Sequence, residues 1–409
     1  MTTETALYVN PAAMEPLLPS SAGRELSDLT CDILRKAGAL SAQLPSPIVR
    51  ARIANLVREM NSYYSNLIEG HKTLPRDIER AMRGDYSGNP AKRTNQHLNR
   101  AHIEVEKLMQ QRLASEAALS IHSPEFLCWL HREFYSRLPD DLHFSESTSG
   151  RKYRIEPGEL RTFEVAVGSH QPPHFEALPR MMARFQHFYG DDQILSTSQL
   201  TALAAAHHRL AWIHPFGDGN GRVTRLYSHA WLTRCKADGS GLWTLSRGLA
   251  RQREEYYSHL RNADRGRAND FDGRGNLSDR ALSEFCQFML RTMHDQIEFM
   301  DGLLQLHNLC TRIERYIHLD ALDLDSKTRD RLARLLKAAL VEGEIERGRV
   351  GEIVGLASTS ARDIIRVATR KGLLDSPSEK GPLALVFSSE TLESYFPKLF
   401  QDLPVETDA

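Results

Sequence analysis

Along most of this 409-residue chain, apolar residues recur at three- and four-residue intervals, the spacing that lines one face of a helix. Residues 26–42 carry such a stripe, and Pro45 and Pro47 stop it. Before them, residues 1–22 hold Pro11, Pro16 and Pro19 and read as an extended arm. A long helix is expected over residues 47–68, with Ile48, Ile53, Leu56, Val57, Met60 and Tyr64 on its apolar positions and Gly70 placed to cap it. Further helices are expected over 97–118, 124–138, 178–189, 200–213, 223–234, 251–260 and 282–318. Residues 157–168 have another rhythm. Phe163, Val165 and Val167 alternate with Glu164 and Ala166, the period-two mark of a short strand. A lone hairpin in a helical protein cannot bury both faces, so its edge is open to pair with a second segment.

The composition shifts near residues 320–326. Ser326 can cap a helix reaching residue 341, with Leu332, Leu335, Leu336, Ala339 and Leu340 on its apolar face. Gly343 breaks it, a short helix follows over 350–356, and Ser358 or Thr359 caps a third through residue 371. Strands at 373–374 and 383–387 complete the pattern of a winged helix. Arg362, Arg366 and Arg370 fall at i, i+4 and i+8 of the third helix, opposite Ile364, Ile365 and Ala368. That is a recognition-helix pattern suited to DNA phosphates and guanine edges. A module that docks protein or forms a homodimer is the competing expectation. The chain is thus expected to be mainly α, divided into a helical region 1–110, a core 111–320 and a winged-helix domain 321–409.

A formal net charge of −1 with 26% charged residues excludes a basic nucleic-acid coat and an acidic tail. No apolar run reaches membrane-spanning length, and no basic-then-apolar leader opens the chain. Cys31, Cys128, Cys235, Cys286 and Cys310 are scattered and odd in number. Buried free thiols in a reducing cytoplasm are expected.

The densest chemistry lies in His214-Pro215-Phe216-Gly217-Asp218-Gly219-Asn220-Gly221-Arg222-Val223-Thr224-Arg225, between two expected helices. Glycines alternating with Asp218 and Asn220 permit positive φ and leave N–H groups uncovered, so they can converge on an anion. The turn opens a helix, whose positive end favours phosphate. Arg222 and Arg225 are three apart and can reach one polyphosphate. A P-loop needs Lys then Ser or Thr after its last glycine, and Arg222-Val223 stand there instead. The dinucleotide fingerprint fails because a helix precedes the glycines. His207 and His208 lack the spacing of a zinc helix and are read as packing or solvated residues.

This stretch resembles the Fic signature, His-Pro-Phe-x-Asp/Glu-Gly-Asn-Gly-Arg-x-x-Arg, at every defined position. Upstream, Ser65, Glu69 and Gly70 are similar to the Ser/Thr-x-x-x-Glu-Gly/Asn motif that one class of Fic proteins carries on a helix before the core. The resemblance implies a Fic-type helical core with a short β-hairpin flap, and AMP transfer from ATP to a hydroxyl of a target protein. It implies His214 as base, Asp218 as Mg2+ ligand, and Gly219, Asn220, Gly221, Arg222 and Arg225 around the nucleotide. Residues Phe163, Glu164, Val165, Ala166 and Val167 look like the family's target-docking flap, and Glu69 like its inhibitory glutamate. The family has an aromatic near adenine, for which Tyr256 is preferred over Tyr257. The other readings are a nucleotide-sensing transcription regulator, a toxin-like protein held by a partner, and Fic enzymes of different chemistry, such as deAMPylation or phosphotransfer.

Overall fold

Prolines and short polar caps set where many of the helices begin. Pro47, Pro75, Pro90 and Pro124 each occupy a first helical position, where the missing N–H costs nothing. Asn89 accepts from the Lys92 N–H at 3.2 Å and Ser123 from the Phe126 N–H at 3.1 Å, satisfying donors that the helix leaves open.

The computed structural model describes residues 9–20, 23–146, 151–168, 170–190, 194–319 and 323–400. The fold is mainly α with little sheet. Helices α1 (Arg24–Leu40), α2 (Pro47–Ile68), α3 (Pro75–Met82), α4 (Pro90–Ser115) and α5 (Pro124–Tyr135) come first. An antiparallel hairpin follows, β1 (Phe144–Glu146) with β2 (Lys152–Arg154), Phe144 opposite Arg154. Then come α6 (Leu178–Tyr189), α7 (Gln199–Ile213), α8 (Asn220–Arg234), α9 (Leu245–Arg251), α10 (Arg253–Ala263) and α11 (Asp279–Leu304).

Two compact units divide the chain, one of Met1–Ala37, Asn61–Asp238 and Thr244–Gln296, the other of Gly38–Met60, Gly239–Trp243 and Ile297–Ala409. This differs from the partition expected at residues 110 and 320. Each unit is assembled from three separate stretches of chain, so no linker composition marks the change. The expected boundary at residue 320 and much of the N-terminal arm lie outside the described residues.

In the first unit, α7 packs against α6 and α8, and α8 also against α4 and α5. Nearly all of α7 from Leu200 to Ile213 is buried, and Ala202, Ala204, Ala205 and Ala206 let its neighbours approach closely. A helix buried on every side belongs at the centre of a unit. Its C-terminal end therefore delivers His214 from a rigid base.

The strand expected over residues 163–167 does not form. Among the described residues only an isolated bridge, Val167 with His170, lies there. The paired hairpin is β1–β2, upstream of this segment. Alternation alone could not distinguish them: the Arg161 guanidinium takes the Phe163 carbonyl at 3.0 Å, and Phe163 stacks on Tyr153 at 3.9 Å. Those contacts hold the segment beside the hairpin, outside its ladder.

In the second unit, α12 (Leu306–Leu319) and α13 (Ser326–Glu342) pack together. They are followed by β3 (Glu344–Ile345), α14 (Val350–Val354), α15 (Ser358–Arg370), β4 (Leu374–Asp375), β5 (Leu383–Leu385) and α16 (Leu392–Tyr395). The sheet is antiparallel in the order β3-β5-β4. Asp325, one residue before the expected cap, accepts from the Thr328 N–H at 3.1 Å. Leu332, Leu335, Leu336, Ala339 and Leu340 are all buried, as are Ile364, Ile365 and Ala368 of α15.

Candidate active site

Helix α7 ends when His214 turns left-handed, at φ 49°, a region that costs a residue with a Cβ some energy. Neighbours hold it there. The His214 N–H donates to the Leu210 carbonyl at 3.1 Å, and buried Arg161 donates through Nε to the His214 carbonyl at 2.9 Å. The Arg161 N–H also reaches the Pro215 carbonyl at 2.9 Å. The loop then closes on itself: the Phe216 N–H donates to Asn220 Oδ1 at 2.9 Å, and Asn220 Nδ2 returns a bond to the Phe216 carbonyl at 2.8 Å. Asn220 is thus a clamp on the loop, and its amide is committed to backbone. Phe216 is fully buried, stacked on His131 at 4.1 Å between ring centres, which makes it the anchor under the turn.

Two glycines are required by close approach. Gly219 sits at φ 77°, and a Cβ there would come within 2.8 Å of the Tyr135 ring. At Gly221 a Cβ would collide with the Glu69 carboxylate.

The half-buried His214 ring points Nδ1 at the Ala211 carbonyl, 3.4 Å away. A proton on Nδ1 satisfies that oxygen and leaves a lone pair on Nε2. Burial, with the Arg161 cation nearby, lowers the imidazole pKa to about 4, so the ring is neutral at pH 7 and able to accept a proton. Asp218 is half-exposed. Burial works to raise its carboxyl, but Arg222, the Tyr135 hydroxyl and the Gly219 N–H together hold it below the ordinary value. Arg222 lies over the Phe134 ring at 5.1 Å and meets Asp218 Oδ2 at 3.4 Å. Its Nε and Nη1 are buried with no hydrogen-bond partner. Buried guanidinium donors left open are costly, and a phosphate oxygen is the acceptor that suits them.

Arg225, one turn further along α8, is held by three hydrogen bonds. It donates to Glu69 Oε1 at 2.6 Å, to the Ser65 hydroxyl at 2.9 Å through Nε, and to the Ser65 carbonyl at 2.9 Å. Burial favours a protonated Glu69, yet Arg225 and Arg222 keep its carboxyl below the usual range. Helix α2 presents this glutamate at its last turn, where Gly70, at φ 88°, reverses the chain. From α10, Arg253 and the Tyr257 hydroxyl donate to the Ile68 carbonyl at 2.9 and 3.1 Å, so the end of α2 is pinned from two sides.

Residues 118–232, which include the whole His214–Arg225 turn, match the Fic/DOC family. The chain carries a Fic domain. It is 35% identical over 142 residues to a protein adenylyltransferase Fic of Drosophila mojavensis and 31% identical over 142 residues to one of Culex quinquefasciatus. Each alignment takes in 35% of this chain and 27% of the relative. A Fic family protein of Desulfovibrio desulfuricans has a similar fold, with a TM-score of 0.53 at 18% identity over 90% of this chain and 98% of that one. No helix among the described residues is long and apolar enough to cross a membrane.

Around the Fic turn the structure gathers His214, Asp218, Gly219, Asn220, Gly221, Arg222, Arg225, Ser65, Glu69 and Gly70. Tyr256, the preferred wall for a base, is instead a core residue, 3% exposed. Its hydroxyl meets His207 Nε2 at 2.7 Å, and His207 Nδ1 meets the Ser228 hydroxyl at 2.7 Å. Tyr257 is the half-exposed one of the pair. His207 and His208 are buried, and the described residues hold no group of three potential metal-binding side chains. Phe163 of the expected flap reaches the turn, its ring 2.9 Å from where a Cβ on Gly217 would lie. Arg362, Arg366 and Arg370 belong to the other unit and are exposed. Three residues that support the Fic turn went unmarked in the sequence: His131 and Tyr135 on α5, and Arg161. The i, i+4 spacing of His131 and Tyr135 was the one available signal, and it is too common to single out a pair.

Proposed function

We propose that this chain transfers AMP from ATP to a hydroxyl side chain of a protein and that Glu69 restrains the transfer. The observation that carries the reading is a neutral, half-buried His214 on the same turn as a buried Arg222 with open donors. In the forward step the target hydroxyl oxygen forms a bond to the α-phosphorus and the bond to pyrophosphate breaks. His214 Nε2 takes the hydroxyl proton. Arg222 and the first N–H groups of α8 meet charge as it grows on the phosphates. The exposed stretch Glu164–Val167 offers main chain to the target segment.

The donors also suit Mg2+, which takes one or two carboxylates and fills its shell with phosphate oxygens and water. Asp218 would hold it, and the ion would neutralise charge on the departing pyrophosphate. In the resting arrangement Arg225 is committed to Glu69. A guanidinium so engaged cannot clamp a terminal phosphate, and the carboxylate repels that phosphate. A further reading concerns the C-terminal unit. Three helices and a small sheet, with Arg362, Arg366 and Arg370 on the solvent side of α15, support a winged helix that meets duplex DNA.

The enzymatic reading is tested with purified protein, α-labelled ATP and cell extract. His214→Ala should lower labelling by about 10²–10⁴-fold while ATP affinity stays within a few-fold. Near-normal labelling by His214→Ala rejects the mechanism.

A further inference from the structure

Helix α5 does more than support the turn. Tyr135 is 1% exposed and donates its hydroxyl to Asp218 Oδ2 at 2.7 Å. Arg222 approaches the same oxygen at 3.4 Å. One turn back, His131 is fully buried. Its Nδ1 accepts the Gly158 N–H at 2.9 Å, which places the ring proton on Nε2, facing the Asp218 carbonyl at 3.3 Å. The face of the same ring lies on Phe216, with the planes 7° apart. One helix face therefore holds Asp218 at both ends, carbonyl and carboxylate.

We infer that Tyr135 and His131 are positioning residues for a divalent cation at Asp218, committing Oδ2 to the protein and presenting Oδ1 to the metal. This rests on the reading of Asp218 as the metal carboxylate. Tyr135 and Arg222 both meet Oδ2, so the carboxylate cannot rotate freely, and Oδ1 is the oxygen that neither touches. Mg2+ demands near-ideal geometry and dehydrates reluctantly, so a ligand held in one orientation gains over one that must be ordered on binding. Hydrogen-bond partners of a metal ligand typically contribute 10–100-fold to metal affinity.

The experiment uses the full chain with His214→Ala, which removes turnover, and Mn2+ as the probe. Free Mn2+ is followed by electron paramagnetic resonance at saturating ADP. Tyr135→Phe keeps the ring that packs beneath Gly219 and removes only the hydroxyl. It should weaken Mn2+ binding about ten-fold, leaving metal-free ADP affinity and the melting temperature unchanged. On the active background, excess Mg2+ should restore labelling by Tyr135→Phe. Equal Mn2+ affinity with and without the hydroxyl overturns the inference, as does a loss that extends to metal-free ADP binding or to melting. Asp218→Ala separates the two levels. If it binds Mn2+ as the parent does, the metal reading of Asp218 fails with the inference. If it loses Mn2+ while Tyr135→Phe does not, the inference fails alone.

Discussion

The arginines of α8 and those of α15 share a spacing of three or four residues but have opposite surroundings. On α8, Arg222 and Arg225 are buried, one with open donors and the other enclosed by Ser65 and Glu69. On α15, Arg362, Arg366 and Arg370 stand in solvent, and Arg366 meets its helical neighbour Asp363 at 2.8 Å. Removing a guanidinium from water is expensive unless it is paired, so the α8 arginines are held by what surrounds them. The α15 arginines stay hydrated and their mutual spacing is unconstrained. Under the proposed function, the first arrangement reads the shape of a polyphosphate. The second can attract a charged backbone but is ordered only when it meets one.

The largest expected effects lie on the buried side. Arg225→Ala leaves the Glu69 carboxylate and the Ser65 groups without their partner, and should lower stability by about 3 kcal/mol, the low end for breaking a buried pair. It should also abolish labelling, and adding Glu69→Gly should not restore it. Glu69→Gly alone should raise labelling by on the order of ten-fold, since a competing pair worth about 1.4 kcal/mol already accounts for that factor. Equal labelling by wild type and Glu69→Gly at matched ATP and Mg2+ would reduce Glu69 to a helix-end residue. Urea unfolding gives the stability arm.

An intermediate effect comes from histidines buried in the same unit. Burial holds His102 and His207 at about 3, and His122, His131 and His214 at about 4. The unfolded chain protonates its histidines near 6.5, where the folded form does not, so their contribution is whole above pH 6.5 and is lost as pH falls toward 4. Calorimetry at pH 7 and pH 5 should show melting lower at pH 5 by on the order of 10 °C. A melting temperature that holds across that interval contradicts neutral burial of these rings.

The smallest effects belong to α15. Arg366→Ala should change stability by no more than about 0.5 kcal/mol. Replacing Arg362, Arg366 and Arg370 together should flatten the dependence of log affinity for duplex DNA on log salt by about 2.7, with AMP labelling unchanged. Failure of the wild type to retard duplex DNA at low salt would assign the unit to protein docking.

The sequence by itself determined the helical character, the nine defined positions of the turn, the Ser65–Glu69 pair and the apolar faces of α13 and α15. These are local facts: helix periodicity, capping and glycine freedom act over a few residues and are visible in a single strand of text. Residues 163–167 alternate as a strand does, yet whether they pair depends on Arg161 and Tyr153, which alternation does not encode. Tyr256 and Tyr257 are adjacent and alike, and only the packing of α10 makes the first a core residue bonded to His207 and leaves the second at the surface. The placement of α5 brings Tyr135 to Asp218 from 83 positions away, and α2 brings Glu69 to Arg225 from 156. Pairing across such distances is decided by how whole helices pack, because the energy comes from burying many side chains at once and each residue alone contributes too little to foretell its partner.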